Sequence, residues 1–435
     1  MFTIFFREIM AIIEIGGKKY STVKLLILFA AGVFLDGYEM GVVALAALYM
    51  FPILHLNELM QTLIMGAVIV GSIIGFISAG FLTDLFGRRT LYIYDLLGYI
   101  IFGVLQVITS NGWIIAVSRL IMGIAIGADG PISSSYVAEI APKDVRGRYL
   151  AFTNVAYVAG VFTSVAIAWL IFANESLIPP DIGWRLMLVL GIIPAIIVFI
   201  MRRQMPESQR WLNVKGKILG VEIVKEMFTG LGGKFTILNS IIWFIYDMTI
   251  YGASLFLPTI IMKIFGTTAV PNTVNALYDS IFTLVLVLVA TLAMLIIDST
   301  GRKPIQILGL VGMGIFLLLV PYGFENIYVL IFIAIMFEVF NGFAGTTIGI
   351  FPAELAKTEF RGSAYGFAGM MGKIGALVGV FLVGLGTQTI GKSSAPVFQF
   401  FGVMLFLAAF LTLFLVDITD MDLDELYEFK EKLSS

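Results

Sequence analysis

The sequence has no cysteine and a single histidine, His55, and only 13% of its 435 residues are charged. Without thiols there is neither a disulfide nor a thiolate metal site, and one imidazole in a short connection reads as a solvated loop residue, so no metal is expected. Soluble globules run near 25% charged. With 59% hydrophobic residues and a mean hydropathy of +1.00, this chain is expected in a lipid bilayer. It offers no soluble basic domain to hold nucleic acid, and its net charge of −2 points to no polyanionic partner. The opening "MFTIFFREIMAIIEI" lacks a cleavable signal pattern and reads as an interfacial amphipathic segment.

What the chain does have is apolar runs of about twenty residues, each long enough to cross the hydrocarbon as a helix. Twelve are expected, over 24–49, 61–83, 90–109, 112–137, 149–173, 184–202, 236–263, 275–297, 304–322, 327–351, 361–386 and 396–416. The fold class is therefore an all-α membrane protein. Lys and Arg gather at the N-terminus (Arg7, Lys18, Lys19, Lys24) and in the even-numbered connections: Arg88, Arg89, Lys143, Arg146, Arg148, the stretch from Arg202 to Lys234, Arg302, Lys303, Lys357 and Arg361. Lys430 and Lys432 follow the last span, whereas the odd-numbered connections hold little beyond Lys263 and Lys392. The positive-inside rule then places both termini in the cytoplasm.

The chain repeats itself. "GFLTDLFGRRT" after the second span is echoed by "LIIDSTGRKPI" after the eighth, Asp84, Gly87 and Arg88 matching Asp298, Gly301 and Arg302 at an offset of about 214 residues. "AEIAPKDVRGR" after the fourth is echoed by "AELAKTEFRGS" after the tenth, with Ala138, Glu139 and Arg146 matching Ala353, Glu354 and Arg361. Two six-helix halves are expected, 1–203 and 236–435, joined by a charged cytoplasmic linker over 204–235.

The G-x-L-x-D-x-x-G-R-R of Gly80 to Arg89, the D-x-x-G-R-K of Asp298 to Lys303 and "PESQRWL" after span six resemble the major facilitator superfamily along nearly the whole chain. The resemblance implies two pseudo-symmetric bundles and transport, not enzymatic chemistry. Loops of this kind suit a joint between moving bundles: Asp84 and Arg88 can relay charge to a helix end, and Gly87 and Gly301 permit a tight turn.

Charges inside the spans are costly, about 2.5–3.5 kcal/mol each on insertion scales, and so point to function. Asp36 and Glu39 lie three apart on one helical face, which must look into a polar cavity. Arg119, on the fourth span with Asp129, is the expected counter-ion for an acid on the first. Trp243, Asp247 and Tyr251 form one i, i+4 stripe on the seventh span, Glu338 and Asn341 lie three apart on the tenth, and Lys373 sits deep in the eleventh. Lys373 is open to three readings: partner of Glu338, partner of Asp247, or an anion site. Asp95 and Asp279, nearer span ends, are read as solvated structural charges.

"FLDGYEMGVV" resembles both the sugar porters and the phosphate:proton symporters of the superfamily. "GIAIGADGPISSSYVAE", "WFIYDMTIY" and "FPAELAKTEFRGSAYGFAGMMGKIGALVG" are similar to signatures of the second branch. That resemblance implies proton transfer at Asp36 and Asp129, and a substrate site with Trp243, Asp247, Tyr251 and Lys373. The chain departs from the branch at Gly130, where it has a tyrosine, at Tyr157, where it has a glutamine, and near Ala344 or Gly345, where it has an asparagine. The expected function is symport of protons with a small anion, phosphate first, driven by the proton gradient with no cofactor, by a monomer in the cell membrane. An organic acid, a sugar, or a non-transporting nutrient sensor are the alternatives. "GTQTIGKS" (386–393) matches a phosphate-binding loop, but it joins two spans and lacks the strand such a loop follows, so it is read as chance.

Overall fold

A computed structural model describes residues 12–15, 18–216, 220–254, 271–323, 326–389 and 395–423, with 425, 427 and 428. Arg7, Lys263, Lys392, Lys430, Lys432 and the expected far end of the seventh span, 255–263, lie outside them. Where the sequence reads as one interfacial segment, the described part forms an antiparallel hairpin of β1 (Ile12–Ile15) and β2 (Lys18–Ser21). Residues 1–11 of the expected interfacial segment lie outside the described residues.

Six long helices follow: α1 (Thr22–Ile53), α2 (Glu58–Phe86), α3 (Arg88–Ile108), α4 (Gly112–Ile140), α5 (Arg146–Ala173) and α6 (Pro180–Arg202). Two short helices, α7 (Gln209–Val214) and α8 (Val221–Phe228), occupy the connection before α9 (Gly230–Ser254). Then come α10 (Asn272–Thr300), α11 (Arg302–Gly323), α12 (Ile327–Ile348) with its short continuation α13 (Ile350–Leu355), α14 (Arg361–Thr389) and α15 (Ala395–Thr412). Ten of the described helices, taking α12 and α13 as one, are long and apolar enough to span; α9 joins them as a bent pair with α8, turned by 77°, and α15 is a shorter apolar helix. Most begin earlier or end later than hydropathy predicts, because polar first and last turns continue the helix beyond the apolar stretch. Thus α9 starts inside the expected linker; α15 is the exception, ending at Thr412 short of the expected 416.

Local chemistry explains the ends. Asn57, Asn111 and Asn326 accept backbone N–H groups at the starts of α2, α4 and α12. Gly87 and Gly301, at φ +97° and +92°, end α2 and α10 and start the next helix with no spare residue, which a side chain would strain. Exposed hydrophobics such as Ile101 on α3, Ile197 on α6, Leu308 on α11 and Phe410 on α15 face outward, as lipid contact requires. The two bundles meet through α2 against α14 and α5 against α10. At the first seam backbones touch: a methyl on Gly80 would come within 2.6 Å of the Gly362 carbonyl, and one on Gly366 would collide with the Phe76 carbonyl.

Candidate functional site

Three polar clusters lie inside the bundles and a fourth joins them at one end. In the first, Glu39 on α1 pairs with Arg119 on α4 at 2.9 Å, and the amide of Gln106 on α3 donates to Glu39 at 3.3 Å. All three are buried, and Arg119 also donates to the Ile64 carbonyl at 3.2 Å. One oxygen of Glu39 and one terminal nitrogen of Arg119 keep no partner.

The second cluster departs from the sequence reading. Asp95 is not a solvated charge: only 4% of its side chain is exposed, and it lies 3.2 Å from Arg202. Arg202 is not a loop cation either. It is the last residue of α6, fully enclosed, and it turns back between α3 and α4 to bind Asp129 at 2.6 Å. Hydropathy places both at span ends, but a long guanidinium reaches past its own Cα to bury its charge against two acids. Its guanidinium carbon lies 3.3 Å from the centre of the Tyr92 ring. Asp36 lies in the field of this cluster and of Lys373, with no cation within ion-pair distance among the described residues. Although Asp36 and Glu39 share one helix, they serve different neighbours.

On the other half, Lys373 of α14 reaches Asp247 at 3.2 Å and the Tyr251 hydroxyl at 3.0 Å, both on α9, and Tyr157 of α5 lies against them. Of the two acids read as partners for Lys373, it is Asp247 that the ammonium reaches. Glu338 is not its partner; it accepts from the Asn341 amide at 2.9 Å, and Tyr246 donates to Asn341 at 2.7 Å. Trp243 packs edge-on to Phe76 and Tyr365, joining α9 to α2 and α14. These last two rings fill the space at Gly130, where the resembling branch carries a tyrosine. Gly345, near the branch's asparagine position, faces the Tyr246 hydroxyl, and the amide stands one turn earlier as Asn341.

The repeated motifs make the fourth arrangement, twice over. Asp84 binds Arg88 at 3.1 Å and accepts from the backbone of Gly362 and Ser363 at 3.1 and 2.8 Å, capping the start of α14 in the other bundle. Arg88 and Arg361 converge on Glu139 at 2.8 and 3.1 Å. In the second copy Asp298 binds Arg302 at 3.2 Å and accepts from the Arg148 N–H at 3.1 Å, while Arg302 and Arg146 converge on Glu354 at 3.1 and 2.7 Å. Each copy thus grips the opposite half. The segment after α6 joins in: Glu207 accepts from the Arg88 N–H at 3.0 Å, Ser208 donates to Glu139, and the Trp211 indole donates to the Asp84 carbonyl at 2.8 Å. Burial lifts the Glu207 carboxyl above its ordinary value against the pull of these N–H donors. The sequence reading missed Gln106, Tyr246, Arg202 and the Glu207–Trp211 contacts. Arg202 carried a signal, a lone arginine at the end of an apolar run, and Glu207 to Trp211 lay within the quoted "PESQRWL", whose contacts the sequence does not give.

Elsewhere the described residues bear on two minor expectations. His55 is exposed, in the turn between α1 and α2, and Gly386–Thr389 of the apparent phosphate loop are the last turn of α14, with 390–393 outside the described residues. No group of three or more His, Cys, Asp or Glu positioned for a metal occurs among the described residues.

Twelve helices in two six-helix halves, with mirrored ion-pair grips at one end and polar groups in the core, define a multi-pass membrane transporter. The model for "Sugar (and other) transporter" matches residues 25–231 and that for "Major Facilitator Superfamily" matches 239–431; the chain belongs to the major facilitator superfamily. It is 27% identical to the "Probable inorganic phosphate transporter 1-9" of Arabidopsis thaliana over 82% of both chains. It is 25% identical to the "Glucose transporter GlcP" of Staphylococcus epidermidis over 95% of this chain and 98% of that one. The solved structure of the proton:xylose symporter XylE with 6-bromo-6-deoxy-D-glucose has the same fold, with a TM-score of 0.78 at 20% identity over 94% of this chain and 98% of that one.

Proposed function

We propose that this protein is a proton-coupled symporter that moves a small polar solute across the cell membrane by alternating access, as a monomer with both termini cytoplasmic. The proton gradient drives it and no cofactor takes part. The observation that carries this reading is an excess of acid in the core. Among the described residues, Asp36, Glu39, Asp95, Asp129, Asp247 and Glu338 have only Arg119, Arg202 and Lys373 as cations inside the bundles. A neutral carboxylic acid costs far less in hydrocarbon than a carboxylate, so acids without a cation are suited to take up and release protons. Asp36 is the first carrier, with Asp129, and with Glu39 and Arg119 as a coupled pair. The solute site lies between the halves, on Tyr157, Trp243, Asp247, Tyr251, Glu338, Asn341 and Lys373, and the paired grips close its cytoplasmic side.

The solute is assigned as a small anion, phosphate or a carboxylate. Among the described residues Lys373 is the one lysine deep in the spans of the second half, and a proton on Asp247 frees its ammonium for an anion. One observation favours a sugar as the second reading. With the Lys373–Asp247 pair closed, the site presents a neutral set of hydroxyl, amide and carboxyl groups suited to a polyol. Uptake into proteoliposomes at acidic external pH separates them. Radiolabelled phosphate or simple carboxylates should accumulate, and collapse of the proton gradient should abolish it. A hexose accumulating in their place assigns the sugar, and no uptake of any solute favours a sensor.

A further inference from the structure

Arg202 has two sets of neighbours, one through its side chain and one through its main chain. Its side chain holds Asp129 and Asp95, and its Nη1 also donates to the Tyr92 carbonyl at 3.0 Å. Its main chain runs straight into the segment clamped to the interbundle grip. The Met205 N–H donates to the Arg202 carbonyl at 3.1 Å, Arg89 donates to the Arg203 carbonyl at 3.0 Å, and Tyr136 donates to the Pro206 carbonyl. Glu207, Ser208 and Trp211 then engage Arg88, Glu139 and Asp84. Four residues separate Arg202 from Glu207, which leaves little slack between them.

The cluster is also unsaturated. One oxygen of Asp129 and the Nε of Arg202 are buried with no partner, so Asp129 has an open lone pair for a proton. The charged or titratable groups facing Arg202 are Asp36 from α1, Tyr92 and Asp95 from α3, and Asp129 from α4. A proton on Asp129 cancels the charge that holds Nη2, leaving Asp95 as the stronger partner. A guanidinium drawn towards Asp95 would pull on the end of α6 and on residues 203–211, which follow it in the chain.

We propose that Arg202 is the positioning residue that couples protonation of the core acids to the interbundle grip. The inference rests on the reading of Asp36 and Asp129 as proton carriers. Gly32 of α1 supplies a test that alters no charge: a methyl there would overlap Nη2 of Arg202 and press on Asp129, displacing the flexible end of the guanidinium.

The chain has no cysteine, so cysteines placed at exposed Lys143 and Ser299, on opposite halves at the gripped end, can carry spin labels without background. Distances are read in liposomes across a pH series. In the parent protein, acidification should shift the population from short to long distances. Arg202→Gln should lose that response, and Gly32→Ala should move its midpoint to more alkaline pH by about one unit, since a proton no longer has to displace a guanidinium. A parent that responds while Arg202→Gln follows the same curve and Gly32→Ala keeps the same midpoint overturns the role of Arg202 alone. A parent that ignores pH overturns the proton-carrier reading and this inference together. If Arg202→Gln does not fold, the Gly32→Ala midpoint decides.

Discussion

Asp36 and Glu39 differ in what their loss leaves behind. Glu39 is the counter-charge of an arginine that is 1% exposed, so Glu39→Gln strands a buried cation and should cost about 3–5 kcal/mol, read as a lower melting temperature in detergent. Asp36 holds no cation, so Asp36→Asn should leave stability nearly unchanged while uphill accumulation is lost and downhill exchange survives. Unchanged accumulation by Asp36→Asn would move the carrier role to Glu39 or Asp129. Lys373→Gln divides the two solute readings in the same way. Anion uptake should fall by tenfold or more, at about 1.4 kcal/mol per tenfold, whereas sugar uptake should persist with Asp247 protonated.

At the level of helices, the contact of α2 with α14 rests on missing side chains. The Phe76 carbonyl occupies the place a methyl on Gly366 would take, and backbone cannot move aside as a side-chain tip can. Gly366→Ala should therefore separate the two helices at a cost of about 1–3 kcal/mol. Protease cleavage or thiol labelling at the gripped end should rise accordingly; labelling equal to the parent would show that this seam does not hold that end shut. The small helix α8 adds apolar weight here, since Ile223 and Met227 pack on Phe360 and Ala364 with Phe81 and Leu85 nearby.

For the whole molecule, the two grips are the same device used twice, each acid–arginine set of one half closing on the start of a helix in the other. Losing Asp84 removes the cap on α14 and one partner of Arg88 but touches no group of the solute site. Asp84→Ala should slow turnover by about tenfold or more, as the loss of charge-assisted bonds worth about 1.5–3 kcal/mol implies, with solute affinity within about threefold. A large loss of affinity at normal turnover would contradict this. The Asp298→Ala equivalent should behave alike, because Asp298 receives the Arg148 N–H as Asp84 receives that of Gly362.

The sequence by itself determined the bilayer, the spans to within a few residues at most of their described ends, the duplication, and the list of charges that hydrocarbon would not hold without reason. Apolar length and motif spacing are local properties, so they survive being read one residue after another. Which charge meets which was decided only in three dimensions. Nothing in the order of residues says that Glu39 rather than Asp36 takes Arg119, that Lys373 chooses Asp247 over Glu338, or that Arg202 folds back to Asp95 and Asp129. Those pairings depend on how α1, α3, α4 and α6 are rotated against one another, and α9 against α14, and on a guanidinium long enough to leave its own turn. A hydropathy profile averages over both.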